Sequence, residues 1–383
     1  AHAARACLTR AGLAGPDAGA AAVDQAIFGH ARQAGGGPNT ARQIAYAAGV
    51  PVGRPALTVN QACGSGLQAV FAAARAIRLG EAALVLAGGT ESMSNTPYLL
   101  PRARWGARLG DAELVDGMYR DGFDDPLSGL IMGETAEVLA DEAGIDRAAS
   151  DAWAHDSQQR CEAARVAGRF IDEIAPIEVP GRKGAVTTVD ADEHPRDGVT
   201  LEKLARLKPV FRDDGRVTAG NASGITDGAA ALLVASADAV ARHDLPVAGV
   251  LHDATTVGVE PRIMGIGPVP AVDALRDRQA ARGTDAIDVD AVDAVELNEA
   301  FACQLLACLA QLPFDPARVN PDGGAIALGH PIGATGARIL VTLLHGLDRR
   351  DQRHGIATLC VSGGLGLAAL VERPADARLR RAG

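Results

Sequence analysis

Residues 320–336 read NPDGGAIALGHPIGATG, a run of small and apolar residues around a single histidine, His330. Pro331 restricts the backbone that presents this histidine, and the glycines on either side fit a turn that opens a helix. A lone histidine in such a run is either a core residue bonded to backbone or a group that faces a cleft. The small residues around His330 favour the floor of a cleft.

Short apolar runs alternate with Ala-rich amphipathic stretches along the rest of the chain. The runs 82–87, 229–236, 292–297 and 356–361 predict strands, and the stretches 67–79, 150–167 and 300–312 predict helices. Because the runs are nearly continuous rather than alternating, we predict an α/β fold in which helices cover both faces of the strands.

A weak internal repeat relates two parts of the chain. A Gly-rich turn at 63–66 opens a helix, and the following strand ends in Gly88-Gly89. Residues 333–336 again open a helix, and a later strand ends in Gly363-Gly364. Between 94 and 224 the sequence changes to clusters of Pro, Gly, Asp and Arg. We predict two related α/β halves and a large inserted region that holds specificity.

Composition and net charge argue against some classes of function. The 383 residues predict several domains, and 48% hydrophobic with 22% charged residues is ordinary for a folded chain. The net charge of −10 comes without a basic stripe, which argues against nucleic acid as a partner. Lys203, Arg206 and Lys208 are either a local patch for an anionic substrate or a solvated charged face.

The six cysteines show neither the close spacing of metal sites nor the density of disulfide scaffolds, so we predict no metal and a reducing cytoplasm. The apolar run 355–371 is too short and too interrupted for a membrane span, and we predict two buried strands around a turn. Residues 1–14 look helical and show no secretory signal.

Residues 58–67 read TVNQACGSGL, which predicts a strand, a tight turn at Cys63 and a helix. A sulfur at a helix N-terminus is expected to favour the thiolate. The glycines permit the turn and let a substrate carbonyl approach the backbone N–H of Cys63. The alternative is a small buried hydrophobic cysteine.

Two further turns carry candidate groups. Residues 359–366 read LCVSGGLG, a strand that ends in a Gly-rich turn with Cys360 at its tip, or simply a buried strand cysteine. Asn298 follows the strand 292–297 and precedes a helix, where it is either an N-cap or a catalytic group.

Residues 320–336 resemble the Gly-Gly-Ala-Ile-Ala-x-Gly-His-Pro-x-Gly signature of thiolases. The similarity continues in the family's order through most of the chain, at 60–66, 132–137, 217–230, Met264-Gly265, 298–301 and 360–366. It implies duplicated βαβαβαββ halves packed as α/β/α/β/α layers. The implied division is an N-terminal half at 1–93 plus 225–246, a loop domain at 94–224 and a C-terminal half at 247–383.

The resemblance also implies an acyl-CoA acetyltransferase that condenses acetyl-CoA reversibly or cleaves 3-ketoacyl-CoA by thiolysis. Cys63 would hold the acyl group, His330 would activate it, and Cys360 would exchange a proton with the α-carbon. One oxyanion hole would combine His330 with a water held by Asn298, and another the backbone N–H groups of Cys63 and Ser362.

Coenzyme A thioesters are then substrates, with no cofactor. The residues implied to line the coenzyme A path are Ser223, Met132, Phe211, Ala219, Phe301 and Lys203. The family further implies a homotetramer built as a dimer of dimers.

Two departures from the family pattern stand out. Residue 362 is Ser where the family usually has Gly, so either its φ is negative or the oxyanion hole is altered. The sequence begins inside the family's first helix and lacks the opening strand, from which we expect a longer natural protein.

Other functions share parts of this pattern. A ketoacyl-synthase-like or hydroxymethylglutaryl-type condensing enzyme resembles thiolases around the nucleophile, but Cys360 in its Gly-rich turn favours the thiolase. The sterol-carrier type of thiolase would carry a different motif at 298–301. A non-catalytic acyl-CoA-binding subunit would not need the set of Cys63, Asn298, His330 and Cys360.

Overall fold

The computed structural model describes residues 1–13, 20–375, 377 and 379 of the chain. Ala14, predicted with the first helical stretch, and the last four residues of the predicted C-terminal half lie outside this part. The strands are β1 (Gln25–Gly29), β2 (Ala56–Val59), β3 (Leu84–Glu91), β4 (Tyr98–Leu99), β5 (Val115–Asp116), β6 (Ile177–Pro180), β7 (Val186–Val189), β8 (Gly228–Ala235), β9 (Val250–Gly258), β10 (Ala294–Leu297), β11 (His354–Val361) and β12 (Leu365–Glu372). The helices are α1 (His2–Arg10), α2 (Thr40–Ala47), α3 (Ser65–Arg78), α4 (Met132–Ala143), α5 (Arg147–Val166), α6 (Leu201–Ala205), α7 (Ala237–His243), α8 (Pro268–Ala280), α9 (Ala302–Leu309), α10 (Ala325–Leu328) and α11 (Ile332–Arg349).

The first sheet has the strand order β2-β1-β3-β8. β1 runs parallel to β2 and β3, and β8 runs antiparallel to β3. β3 is buried along almost its whole length, as expected for a strand covered on both faces. Because parallel strands end at the same edge, the segments that follow β1 and β2 begin side by side.

The second sheet has the order β10-β11-β12-β9. β10 is parallel to β11, while β12 is antiparallel to both β11 and β9. Leu297 pairs with Thr358, so the residues that follow β10 lie next to the end of β11. The hairpin of β11 and β12 confirms the prediction of two buried strands around a turn in 355–371.

The two sheets repeat one pattern of pairing. β1, β3 and β8 pair parallel and then antiparallel, as do β10, β11 and β12. A single parallel bridge between Val295 and Val319 takes the place in the second half that β2 has in the first. The repeat confirms the predicted duplication, with β9, α8, β10, α9, the Val319 bridge, α11, β11 and β12 forming the second unit.

Helices α3 and α11 form the central layer between the sheets. α3 contacts β1, β3 and β12, and α11 contacts β3, β8, β10 and β11. A Cβ at Gly66 would lie 2.7 Å from the backbone N of Ala337, so the two helix backbones touch there. α1 and α2 pack on the first sheet and α8 on the second, which confirms the predicted α/β/α/β/α layers.

Residues 94–224 contain α4, α5, α6 and the short hairpins β4–β5 and β6–β7. α4 and α5 pack on α9 of the second half. The inserted region therefore has helical structure close to the ends of β10 and β11, and its exact bounds remain a prediction.

The outer edges of the two sheets differ. Within the described residues, β8 is the edge strand of the first sheet, whereas its counterpart β12 also pairs with β9. The opening strand that the family resemblance implies has no counterpart in this part of the chain. No described helix is both long and apolar enough to cross a lipid bilayer.

Candidate active site

Cys63 lies in a closely bonded turn between β2 and α3. Gly64 N donates to Gln61 O at 2.9 Å, and Ser65 N donates to Ala62 O at 3.0 Å. Ala62 adopts φ 44°, a left-handed conformation that is unfavourable for a residue with a Cβ. The turn thus holds the half-buried Cys63 just before the first turn of α3, as predicted.

Burial raises the pKa of the Cys63 thiol above its ordinary value. The backbone N–H of Ser362, the charge of Arg32 and the N–H of Cys63 itself pull the pKa in the other direction, but burial outweighs them. The backbone N–H at the start of the helix acts in the predicted direction, but burial is the larger effect and the resting thiol is neutral.

The β11–β12 hairpin brings Cys360 and Ser362 to the Cys63 turn. The backbone N–H of Ser362 lowers the pKa of the Cys63 thiol, and a Cβ at Gly64 would contact Val361 at 3.1 Å. The left-handed residues of the hairpin turn are Gly363 and Gly364, both at φ 83°, and Ser362 does not share that conformation. A serine is consequently tolerated at 362 with its N–H in place.

Cys360 is almost fully buried at the end of β11. Burial raises its pKa well above the ordinary value, and the neighbouring Cys63 raises it further. The two thiols, one from each half of the fold, are close enough to interact electrostatically. The Cys360 thiol is therefore neutral in the resting protein.

His330 lies between α10 and α11, and its backbone N donates to Gly224 O at 3.2 Å. Its Nδ1 atom is 2.6 Å from the Thr335 hydroxyl, and that hydroxyl donates to Pro331 O at 3.0 Å. Because the hydroxyl is directed at the carbonyl, we assign the ring proton to Nδ1, which then donates to Thr335. The Nε2 atom is left with a free lone pair, as a general base requires.

Burial lowers the pKa of His330 to about 3, and the charges of Arg338 and Arg32 act in the same direction. Glu91 opposes this shift. The imidazole is therefore neutral at pH 7. Ile332, two residues further on, belongs to the small apolar cluster against which Cys63 packs.

Asn298 directly follows β10, and its backbone N donates to Thr358 O of β11 at 3.0 Å. The N-cap of α9 is Phe301, so the interpretation of Asn298 as an N-cap is wrong. Its side chain is buried, and neither Oδ1 nor Nδ2 bonds to any described residue. Such an amide is free to bind a small polar molecule.

Glu299 is a positioning residue to which the sequence pattern assigns no role. Its fully buried carboxylate accepts from Trp153 Nε1 at 2.9 Å, Ser157 Oγ at 2.8 Å, Asn320 Nδ2 at 3.0 Å and Ile326 N at 3.1 Å. It thereby ties α5 to the 320–336 stretch beside Asn298. The one feature of the sequence that indicates this role is an acidic residue so soon after a buried strand, where charged side chains are rare.

Glu91, at the end of β3, is a second buried carboxylate that holds segments of the site together. Its buried carboxylate accepts from the backbone N–H of Ala31, Arg32 and Gly333 and lies 3.3 Å from His30 Nε2. These contacts lower its pKa although burial alone would raise it. Glu91 joins the loop after β1 to the start of α11 and so fixes the two halves beside the histidine.

The residues implied to line the coenzyme A path divide into two groups. Met132, Phe211 and Phe301 lie in or against one apolar cluster that also contains Cys360 and Met264. Ser223 is beside them, since its backbone N donates to Ala300 O at 3.0 Å. The structure therefore brings these four next to Cys360.

Ala219 and Lys203 lie further out and are exposed. The Lys203 Nζ donates to Gly198 O at 3.0 Å. Its helix, α6, packs against Gly220 through Leu204, so both residues belong to one surface region. Arg206 and Lys208 are exposed as well.

The loop at 215–221 is held by two buried groups for which no role is predicted from sequence. Glu137 accepts from Arg216 N and Val217 N, each at 2.7 Å. Asn221 donates to Asp151 Oδ1 at 2.8 Å and to Arg216 O at 2.9 Å. A loop fixed in this way presents a preformed wall to a ligand.

Among the described residues, no group of three or more His, Cys, Asp or Glu side chains is placed to hold a metal ion. The chemical groups that meet at the site are two neutral thiols, a neutral imidazole, an unbonded amide and backbone N–H donors. This is a set for nucleophilic and acid–base chemistry at a carbonyl.

Two family models match the chain: thiolase, N-terminal domain, over residues 1–238, and thiolase, C-terminal domain, over residues 245–373. The acetyl-CoA acetyltransferase of Pseudomonas aeruginosa is 52% identical over 359 residues, 94% of this chain and 89% of that protein. The β-ketoadipyl-CoA thiolase of Acinetobacter baylyi is 46% identical over 366 residues, 94% and 90% of the two chains. Human mitochondrial 3-ketoacyl-CoA thiolase, solved in complex with CoA, superposes with a TM-score of 0.88 at 40% identity, covering 97% of this chain and 91% of that one.

Proposed function

Because this chain belongs to the thiolase family and is an acyltransferase, we propose that it transfers acetyl groups between coenzyme A thioesters through a covalent thioester on Cys63. In one direction two acetyl-CoA molecules undergo Claisen condensation, and in the other coenzyme A cleaves a 3-ketoacyl-CoA. One observation carries the proposal. The β11–β12 hairpin packs on the Cys63 turn, where a Cβ at Gly64 would lie 3.1 Å from Val361, the residue between Cys360 and Ser362.

His330 activates the nucleophile. As the Cys63 sulfur attacks a thioester or 3-keto carbonyl, its proton moves to His330 Nε2, which is free because Nδ1 donates to Thr335. Both groups begin neutral, so proton transfer accompanies attack instead of preceding it. In both directions the His330 proton returns to Cys63 when the acyl group leaves that sulfur, and in condensation the departing coenzyme A sulfur takes its proton from Cys360.

Cys360 handles the proton on carbon. In thiolysis the C2–C3 bond breaks, the acyl group stays on Cys63, and the α-carbon of the departing acetyl-CoA takes the Cys360 proton. The incoming coenzyme A thiol then gives its proton to the Cys360 thiolate and attacks the acyl group. The raised pKa of Cys360 suits the donor role, and condensation is the same sequence reversed.

Two groups of donors stabilise the oxyanions. The backbone N–H groups of Cys63 and Ser362 receive the oxygen of the group bound to Cys63, and both N–H groups lower the pKa of that thiol. His330, together with a water bound by the Asn298 amide, receives the oxygen of the second thioester. The unbonded, buried amide of Asn298 supports this role.

Coenzyme A binds along the wall formed by Met132, Phe211, Phe301 and Ser223, with Ala219 and Lys203 toward the nucleotide end. The human relative solved in complex with CoA supports this ligand. Coenzyme A thioesters are substrates in this scheme, and no further cofactor takes part. The relatives' names span acetyl-CoA and β-ketoadipyl-CoA, so the length of the acyl group remains to be measured.

We also propose that the protein is a cytoplasmic homotetramer, a dimer of dimers. Large apolar side chains are exposed on residues 98–114, with Trp105 at 84% and Leu109 at 90%, and in β2 at Leu57. Such side chains are typical of surfaces that a second copy covers. All six cysteines are free, which fits a reducing compartment. Light scattering on the purified protein tests the tetramer.

The central experiment is incubation with acetyl-CoA, followed by intact mass and peptide mapping. We expect one acetyl group on the Cys63 peptide of the wild type, its absence in Cys63→Ala and its retention in the matched control Cys7→Ala. Cys360→Ala should form the adduct but lose acetoacetyl-CoA thiolysis. A wild type that forms no adduct would indicate a non-catalytic binding subunit, and an adduct that persists in Cys63→Ala would refute the mechanism.

A further inference from the structure

Arg32, in the loop after β1, is a buried arginine with unused hydrogen-bonding capacity. It is only 6% exposed, and its Nη1 donates to Asp121 O at 3.0 Å. Its Nε and Nη2 atoms are buried and bond to no described residue. These two nitrogens share one edge of the planar guanidinium, the edge that binds a carboxylate with two parallel hydrogen bonds.

The carboxylates around Arg32 are occupied elsewhere. No Asp or Glu oxygen of the described part of the chain lies within 4.0 Å of the guanidinium nitrogens. Glu91 accepts three backbone N–H groups and pairs with His30. Asp125 bonds to Ser128 and to the N–H of Leu127. A buried arginine charge without a partner is costly, so this arrangement calls for an anionic ligand.

The guanidinium lies beside the reaction centre. Its central carbon is 5.9 Å from the centroid of the Phe123 ring. Phe123 packs against the apolar cluster that Cys63 contacts and also against the cluster that contains Cys360. The Phe123 ring thus packs against the guanidinium and against the clusters that border the two thiols.

The segment opposite Arg32 is shaped around it. Tyr119–Phe123 forms a single wide helical turn, and a Cβ at Gly122 would overlap the guanidinium. Only glycine lets this turn approach so closely. The position of Arg32 is therefore fixed, and its free edge has a defined direction.

We propose that Arg32 selects acyl groups that end in a carboxylate. An acyl chain on Cys63 runs along Phe123, and its terminal carboxylate accepts two hydrogen bonds from Nε and Nη2 of Arg32. The preferred thiolysis substrates are then 3-oxoacyl-CoA thioesters with a carboxylate at the far end. This inference rests on the proposed acyl-enzyme on Cys63 and adds a substrate class to it.

The test compares substrates that differ only in the terminal group. Wild-type protein is offered succinyl-CoA against butyryl-CoA, and glutaryl-CoA against pentanoyl-CoA, and the acyl adducts on Cys63 are quantified by mass. Thiolysis kcat/KM is measured for 3-oxoadipyl-CoA, 3-oxohexanoyl-CoA and acetoacetyl-CoA. At one chain length at least, we expect the thioester that ends in a carboxylate to be preferred over the one that ends in a methyl group. The expected preference is roughly 10- to 100-fold, which corresponds to the free energy of hydrogen bonds to a charged group.

Arg32→Leu should remove this preference, and Arg32→Lys should keep only part of it, because a lysine cannot offer the two-point edge. Arg160→Leu is the matched control, since Arg160 also covers an aromatic ring, Trp153 at 5.3 Å, and it should leave the ratio unchanged. A thermal melt checks the fold of each variant.

The possible results separate the two proposals. No preference at either chain length in the wild type overturns the role of Arg32. An equal loss of kcat/KM on all three thiolysis substrates in both Arg32 variants also overturns this role. Such a result would mean that the charge of Arg32 acts on the Cys63 nucleophile and not on the end of the acyl group. If the wild type forms no acetyl adduct and does not cleave acetoacetyl-CoA, the proposed function itself has failed.

Discussion

The Nδ1 atom of His330 lies 2.6 Å from the Thr335 hydroxyl, and this contact determines which nitrogen of the ring can act as a base. The Thr335 hydroxyl proton is already directed to Pro331 O. A helix residue within the 320–336 stretch therefore fixes the tautomer of the histidine.

Thr335→Val should lower kcat for acetoacetyl-CoA thiolysis by about 10- to 100-fold with little change in KM, because the ring loses its orientation but the coenzyme A wall remains. Thr335→Ser keeps the hydroxyl and should restore most of the rate. Steady-state kinetics of both variants decide the matter. A Ser variant as slow as the Val variant would mean that the methyl group, and not the hydrogen bond, matters.

The pH dependence of alkylation reports the resting protonation states. Burial raises the pKa of Cys63, and the pKa of His330 is about 3, so thiol and imidazole are both neutral at pH 7. Only the thiolate reacts, and its fraction grows about tenfold per pH unit below the thiol pKa. Inactivation by iodoacetamide should therefore accelerate steadily as the pH rises from about 6 to 9.

A resting thiolate–imidazolium pair would give a different curve. Its histidine pKa would lie above that of the thiol, and the alkylation rate would reach a plateau below neutral pH. Rates measured with Cys63→Ala give the background from the other five cysteines. A plateau in the wild type that disappears in Cys63→Ala would contradict the neutral resting state.

We expect Ser362 to contribute its backbone N–H, and not its hydroxyl, to the oxyanion hole. Ser362→Gly keeps that N–H and should change kcat by less than about threefold. Ser362→Pro removes the donor and should lower kcat by about 100- to 1000-fold, the usual cost of a lost oxyanion-hole donor. Circular dichroism shows whether the Pro variant keeps the hairpin. If the folded Pro variant retains most of its activity, the second donor lies elsewhere.

The sequence predicted those parts of the site that depend on neighbouring residues. The turn at Cys63 follows from an apolar strand and two glycines, and α3 indeed begins at Ser65. The β11–β12 hairpin follows from two apolar runs around Gly363 and Gly364. Each of these features is decided within about ten residues, which is the range over which turn chemistry and hydrophobic periodicity act.

Contacts between distant segments could not be predicted in this way. Glu91 binds the N–H of Gly333, 242 residues away, and the carboxylate of Glu299 accepts from Trp153, 146 residues away. The neutral state of Cys63 escaped prediction for a related reason. A helix N-terminus is visible in sequence, but the burial that outweighs it is produced by segments from both halves of the chain that pack around Cys63.

Glu299→Gln tests whether a buried carboxylate keeps the site in place. The carboxylate accepts four hydrogen bonds, whereas the glutamine amide must place an NH2 group opposite two donors. We expect a loss of about 2–4 kcal/mol in the free energy of unfolding, measured by urea denaturation. Glu142→Gln is the matched control, because Glu142 pairs with Arg262 on the surface and should cost less than about 1 kcal/mol. Equal losses in the two variants would show that Glu299 does not anchor α5 to the histidine stretch.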